Sequence, residues 1–126
     1  MKYDENSREL IKKIQYNQLS MVELLKCLKN KHIYIVSNAI IMITKLGVYN
    51  DEVVNELIPI ISYKGYKYEF INKMSLGHLA LASIGMMKES EKALKNYKYY
   101  YYNLEEEERK KVDKLSEFLR NEIKNS

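Results

Sequence analysis

The sequence predicts one all-α domain built of helical hairpins, and three observations support this prediction. Four glycines and one proline in 126 residues are too few for the tight turns of a β-sandwich or barrel. Hydrophobic residues make up 46% of the chain, which is enough for a single core, and they recur at helical spacing along most of it. The same apolar pattern returns after 38 residues, which indicates a repeated unit.

The first three helices are predicted from their caps and their apolar stripes. A first helix is expected over about Asp4 to Gln15. Ser20 followed by Glu23 has the spacing of a capping box, and it opens a short amphipathic helix that ends near Asn30. The wide apolar stripe from Ile33 to Gly47 predicts a helix that is largely buried.

The middle of the chain predicts a kinked helix, a loop and a second buried helix. Asn50 caps the first of these, and Pro59 is expected to bend or end it because proline removes one backbone hydrogen bond. The segment Tyr63 to Tyr68 contains a glycine and reads as the longest interior loop. The second strongly apolar helix is predicted from about Tyr68 to Met87.

Two more helices are predicted at the end of the chain. Ser90 caps the first, whose expected core stripe includes Leu94. Asn103 with Glu106 repeats the capping-box spacing and predicts the start of the last helix.

The buried helices superpose with an offset of 38 residues. The offset pairs Val36 with Met74, Ala39 with Gly77, Ile43 with Leu81 and Leu46-Gly47 with Ile84-Gly85, and it continues to Val112, Leu115 and Leu119. We therefore predict a short right-handed α-α superhelix of about three hairpins (residues 19–49, 50–87 and 88–126) behind an N-terminal capping helix (about residues 1–18).

The first two hairpins resemble HEAT repeats. The resemblance rests on the run Leu24 to Asn30, on Val36, Ala39 and Leu46-Gly47, and in the second unit on Leu57-Ile58-Pro59, Gly77 and Ile84-Gly85. The chain departs from the family at Ser37, Ser75 and Asp113, where the family often has arginine. HEAT-like arrays mostly bind other macromolecules, so the resemblance implies recognition rather than chemistry.

Residues that could support catalysis or metal binding are few. Cys27, His32 and His78 have no recognised ligand spacing, and no phosphate-binding or catalytic motif occurs. We expect a hydrogen-bonded interior role for His78, a solvated turn position for His32 and a half-buried structural thiol for Cys27. The interpretation is therefore a protein with no enzymatic activity, no metal and no cofactor.

Two surfaces are candidates for binding a partner. The first, called the repeat face, is the side of the second helices opposite their core columns, and its residues are Tyr34, Ser37, Asn38, Ile41, Asn72, Ser75 and Leu79. Apolar anchors among small polar groups are typical of a protein interface. The alternative is that this face packs on the N-terminal helix or on a second subunit.

The second surface, called the Lys/Tyr face, follows Ser90. Its residues are Lys88, Lys92, Lys95, Tyr99 and Tyr102. Basic side chains between aromatic rings can hold phosphates and stack bases, but a solvated helix face has the same composition. The chain has only three arginines, which are the side chains best suited to phosphate and base recognition.

The sequence therefore favours a protein that binds one protein partner through the repeat face. A bacterial adaptor, or an immunity protein that neutralises a toxin, is one concrete version. The alternative is a nucleic-acid-binding helical domain that uses the Lys/Tyr face. A net charge of +4 decides neither, while the single cysteine and the charged residues near the N-terminus suggest a cytoplasmic protein with no membrane segment.

Overall fold

The computed structural model describes residues 5–125, which form seven α-helices and one short antiparallel strand pair. The helices are α1 (Glu5–Gln15), α2 (Met21–Cys27), α3 (Ile33–Leu46), α4 (Asp51–Leu57), α5 (Leu76–Met86), α6 (Glu91–Tyr102) and α7 (Glu106–Lys124). One 3-10 turn (Ile58–Ser62) continues α4, and another (Tyr66–Tyr68) precedes strands β1 (Glu69–Ile71) and β2 (Met74–Ser75). The all-α prediction is confirmed. The predicted start of α1 at Asp4 lies outside the described residues.

Side-chain caps set most of the helix boundaries. The Glu23 N–H donates to Ser20 Oγ at 3.2 Å, and the Glu23 carboxylate accepts the Ser20 N–H at 2.9 Å, so the predicted capping box is confirmed. The side chains of Asn50 and Ser90 accept backbone N–H groups three residues further on and cap α4 and α6. Pro59 lies in the 3-10 turn that follows α4, as the expected helix end required.

The predicted start of the second buried helix at Tyr68 is wrong, since α5 begins only at Leu76. The preceding residues form the strand pair, and its turn residues Asn72 and Lys73 have φ angles of 44° and 65°. Left-handed backbone cannot continue a right-handed helix, so the turn excludes a helix across this segment.

The predicted capping role of Asn103 is also wrong. Its side-chain amide donates to the Tyr99 carbonyl oxygen at 2.6 Å, behind it in α6. Glu105 occupies the N-cap position of α7 instead. The capping-box spacing was therefore present without the hydrogen bonds that define it.

Helix α5 lies at the centre of the fold. Every residue from Leu76 to Ile84 is buried, because α3, α6, α7 and the 3-10 turn after α4 all pack around this helix. The hydroxyls of Thr44 and Ser83 form a buried hydrogen bond of 2.6 Å between α3 and α5. This central helix therefore leaves none of those nine residues for contact with a partner.

Gly77 in α5 lies in close contact with the backbone of the segment after α4. Its N–H donates to the Tyr63 carbonyl oxygen at 2.9 Å, and a Cβ atom there would collide with the Ile61 carbonyl oxygen. The other paired columns agree less well, because Gly47 ends α3 with a φ of 69° whereas Gly85 lies inside α5 against the Tyr97 ring. The two glycines serve different purposes, and the expected equivalence of their positions is wrong.

Helices α3, α5 and α7 all contact one another, and α4 and α6 contact each other and α5. Helix α7 packs on α5 and also reaches α3, while α1 packs on α3. Within residues 5–125, no helix combines the length and the apolar character needed to cross a membrane.

Candidate functional site

The buried part of the repeat face cannot contact a partner. Leu79, Ser75 and Ser37 are 0%, 1% and 3% exposed. The expectation that Leu79 is an exposed apolar anchor is wrong, because α5 is enclosed by its neighbours on all sides. The Ser37 hydroxyl donates to the Tyr34 carbonyl oxygen at 3.2 Å, so its hydrogen bond lies within α3.

The other α3 residues of the repeat face stay partly accessible. Tyr34, Asn38 and Ile41 are half-buried and follow one another at the spacing of a single helix face. The Gln15 side-chain amide donates to Asn38 Oδ1 at 3.1 Å and ties α1 to this face. Asn72 lies apart from them, exposed in the turn between β1 and β2.

A groove between α1, α3 and α7 contains the accessible end of this face and encloses a cavity of about 380 Å³. Its apolar lining is Ile14, Ile41, Met42 and Phe118, and its polar lining is Gln15, Asn38, Lys45 and Glu122. Phe118 is 39% exposed, although it is large and apolar. We call this site the α1/α3/α7 groove.

Sequence reasoning missed Phe118. It lies beside the core stripe of α7 formed by Val112, Leu115 and Leu119, and that offset from the stripe is the signal that could have identified it. An aromatic residue next to a helix's buried stripe is placed at the boundary between core and solvent.

The surface next to the groove is basic. Lys73, Lys110, Lys111 and Lys114 lie together beside the β1–β2 turn, and Glu107 and Glu108 each pair with one lysine, at 3.6 Å and 3.0 Å. Lys114 precedes Phe118 by one helical turn, so both point to the same side of α7. The positive charge therefore adjoins the apolar groove.

Four of the five residues of the Lys/Tyr face are exposed, and Lys92 is half-buried. Tyr99 and Tyr102 are 65% and 66% exposed, and Lys92 and Lys95 precede them on the same side of α6, while Lys88 lies just before the helix. Leu94, which was expected in the core, is 44% exposed, and that expectation is wrong. Ala93 fills the buried position of this turn instead.

A buried polar chain links the start of α5 to α7. Nδ1 of His78 accepts the Ser75 N–H at 3.0 Å and lies 2.9 Å from Ser75 Oγ, while Nε2 lies 2.8 Å from the Glu108 carboxylate. Burial lowers the pKa of His78, although Glu108 opposes the shift. Burial acts to raise the pKa of Glu108, but hydrogen bonds from His78 and Lys111 outweigh it and lower that pKa.

This chain of Ser, His and Glu has the composition of a hydrolase triad but not the access. Ser75 and His78 are 1% and 3% exposed, so a substrate carbonyl cannot reach the hydroxyl. Nδ1 of His78 already accepts a backbone N–H, which leaves it unsuited to take a proton from Ser75. The arrangement holds the N-terminus of α5 against α7, which is the interior role expected for His78.

The remaining candidates for chemistry occupy structural positions. Cys27 is buried in α2, and burial raises the pKa of its thiol, which disfavours the reactive thiolate. His32 is half-buried and caps α3, since its Nδ1 accepts the Tyr34 N–H at 3.3 Å. Among the residues of the range 5–125, His, Cys, Asp and Glu side chains nowhere gather in threes at a distance suited to a metal ion.

Comparison with protein-family models, with curated proteins and with solved structures gives no match to this chain.

Proposed function

We propose that this protein is a non-enzymatic binding protein that recognises a protein partner in the α1/α3/α7 groove. One observation supports this most: Ile41 and Phe118 remain partly exposed in a concave site walled by three helices. Protein interfaces place such apolar anchors inside a polar surround, which Asn38 and Lys45 provide here. The closed environment of Ser75 and His78 supports the absence of catalysis.

The charges around the groove favour a partner with an acidic rim. Lys45 lies in the groove and Lys114 at its α7 side, with further lysines at the β1–β2 turn. Glu122 is the carboxylate in the lining. We propose a partner surface that inserts one apolar side chain between Ile41 and Phe118 and brings carboxylates to the lysines.

The architecture in this proposal is a HEAT-like, right-handed arrangement of three hairpins. The contacts of α3 with α5, of α5 with α7 and of α4 with α6 support it, because neighbouring hairpins of a repeat array make contacts of this kind. A small binding domain of this kind suits an adaptor or a toxin-neutralising immunity protein in the bacterial cytoplasm. The free, buried thiol of Cys27 is consistent with a reducing compartment.

The test is a binding measurement with groove variants and a matched control. A stoichiometric partner is first isolated with the wild-type protein, and its affinity is then measured for Phe118→Ala, Ile41→Ala and the control Leu94→Ala. Each groove variant should weaken binding by about tenfold or more, as truncation of an interface anchor does. Leu94 is also large, apolar and partly exposed, so its variant should bind normally. Equal losses for all three, or none for the groove pair, contradict the proposal.

A second function is supported by the exposed Tyr99 and Tyr102 rings beside Lys92 and Lys95. Here α6 would bind single-stranded nucleic acid through phosphate contacts and base stacking. Binding of a labelled oligonucleotide should then fall steeply with salt and be lost in Lys92→Glu/Lys95→Glu, while Phe118→Ala has no effect. Retained binding in the double variant contradicts this alternative.

A further inference from the structure

A second cavity lies on another part of the surface, between the α2–α3 turn and the segment 63–68. It measures about 360 Å³. The turn is shaped by the Asn30 side chain, which accepts the His32 N–H at 2.8 Å. The opposite wall is held by the Tyr63 carbonyl oxygen, which accepts the Gly77 N–H from α5 at 2.9 Å. The second wall is therefore anchored to the buried helix α5.

All the charged residues that line this cavity are basic. Lys29 and Lys31 stand on one rim and Lys67 on the other, and no carboxylate belongs to the lining within residues 5–125. Lys29 Nζ also lies 3.8 Å from a Glu56 carboxylate oxygen, and the Lys29 side chain is 74% exposed. Three ammonium groups around one cavity repel one another, and an anion placed between them relieves that repulsion.

The rest of the lining is aromatic and apolar. Tyr63 and Tyr68 stack with ring centroids 4.9 Å apart and an interplanar angle of 18°, and the Lys67 ammonium lies 5.0 Å from the Tyr68 ring centroid. The floor is formed by Ile33 and Leu76. A small inorganic anion would leave the Tyr63 ring and the apolar floor unused, whereas a flat organic body would cover them.

We infer that this Lys/Tyr cavity binds a small aromatic phosphate of the size of a nucleoside monophosphate, with the phosphate between Lys31 and Lys67 and the ring against Tyr63, because the Tyr68 ring is already covered by Tyr63 and Lys67. The volume suits one such molecule, since ligand cavities begin at about 300 Å³. Charge-assisted hydrogen bonds from lysine hold phosphate, and tyrosine faces hold a base. The site shares no lining residue with the α1/α3/α7 groove, so it stands independently of the proposed function.

The test uses AMP as the probe, and its binding is detected by changes in the amide chemical shifts of the isotope-labelled full chain. AMP is titrated to about 5 mM, and two fragments are titrated in parallel. Ribose 5-phosphate lacks the aromatic base, and adenosine lacks the phosphate. AMP should shift the amides of residues 29–33 and 63–68 and should bind more tightly than either fragment. Lys31→Glu/Lys67→Glu should weaken AMP at least about tenfold.

Two further variants make the result specific. Lys12→Glu/Lys13→Glu changes the net charge by the same amount at exposed positions of α1, and it should leave AMP binding unchanged. Tyr63→Leu should weaken AMP several-fold but not ribose 5-phosphate, because only the ring contact is lost. The inference is overturned if AMP moves no amide in these two segments, if both double variants lose binding equally, or if a fragment binds as well as AMP. Tighter binding of an acidic peptide such as pentaglutamate to the same amides would also overturn it.

Discussion

Replacing Gly77 by alanine should destabilise the protein, although alanine is the better helix former. The N–H of Gly77 bonds to Tyr63, and an added Cβ would meet the Ile61 carbonyl oxygen at a colliding distance and the Tyr63 carbonyl oxygen at 3.0 Å. Both obstacles are backbone atoms, so no side-chain rotation can relieve the contact. The segment that follows α4 must move away from α5.

The magnitude follows from three opposing effects. Overpacking a close contact costs about 1 to 3 kcal/mol. Weakening the hydrogen bond to Tyr63 costs about 1 kcal/mol more, while the gain in helix propensity returns at most about 1 kcal/mol. The free energy of unfolding should therefore fall by about 2 kcal/mol, and the melting temperature by about 6 to 10 °C for a chain of this size.

The assay is urea unfolding followed by circular dichroism, with Gly85→Ala as the matched control. A Cβ at Gly85 would meet the Tyr97 ring at 2.5 Å, and a ring can be removed. Tyr97→Leu should therefore rescue much of the loss in Gly85→Ala, while Tyr63→Leu should not rescue Gly77→Ala. A Gly77→Ala protein as stable as wild type would refute the backbone contact between α5 and the segment after α4.

Three other predictions address the core and its titratable groups. Leu79→Glu should abolish the helical signal, since it buries a charge at a cost above about 4 kcal/mol, whereas Leu94→Glu should change stability by less than about 0.5 kcal/mol. The lowered pKa of His78 means that the unfolded chain takes up its proton first, so the urea midpoint should fall as the pH drops through 6.5 and His78→Gln should flatten that fall. The lowered pKa of Glu108 should add a further loss below pH 4.5. Cys27 should react slowly with a thiol reagent in the native protein and rapidly in urea, because burial raises its pKa and blocks access; equal rates would contradict this.

Local signals in the sequence predicted local structure well. The cap at Ser20, the helix end at Gly47 and the break at Pro59 each depend on a few neighbouring residues, and all three are observed. The start of α5 was missed because residues 68–74 are apolar enough to extend a helical stripe. The left-handed turn at Asn72 and Lys73 contains no glycine to mark it.

The exposure of the helix faces could not be predicted in the same way. Whether Leu79 faces solvent depends on how α7 packs on α5, and the two helices are separated by the whole of α6 in the chain. A strongly apolar helix with no polar side, such as α5, is expected to be buried on all sides. That rule would have excluded Leu79 and Ser75 from the repeat face.

The central position of α5 bears on whether the two cavities influence each other. It fixes α3 through the Thr44–Ser83 hydrogen bond and the 63–68 segment through the Gly77–Tyr63 hydrogen bond, so one buried helix holds walls of both sites. Coupling between sites requires an element with two arrangements, and close packing around α5 provides a single one. We therefore expect Phe118→Ala to leave the AMP affinity unchanged and Lys31→Glu/Lys67→Glu to leave partner binding unchanged. A change of more than about fivefold in either of these two affinities would show that α5 shifts on binding. The two sites would then be energetically coupled and not independent.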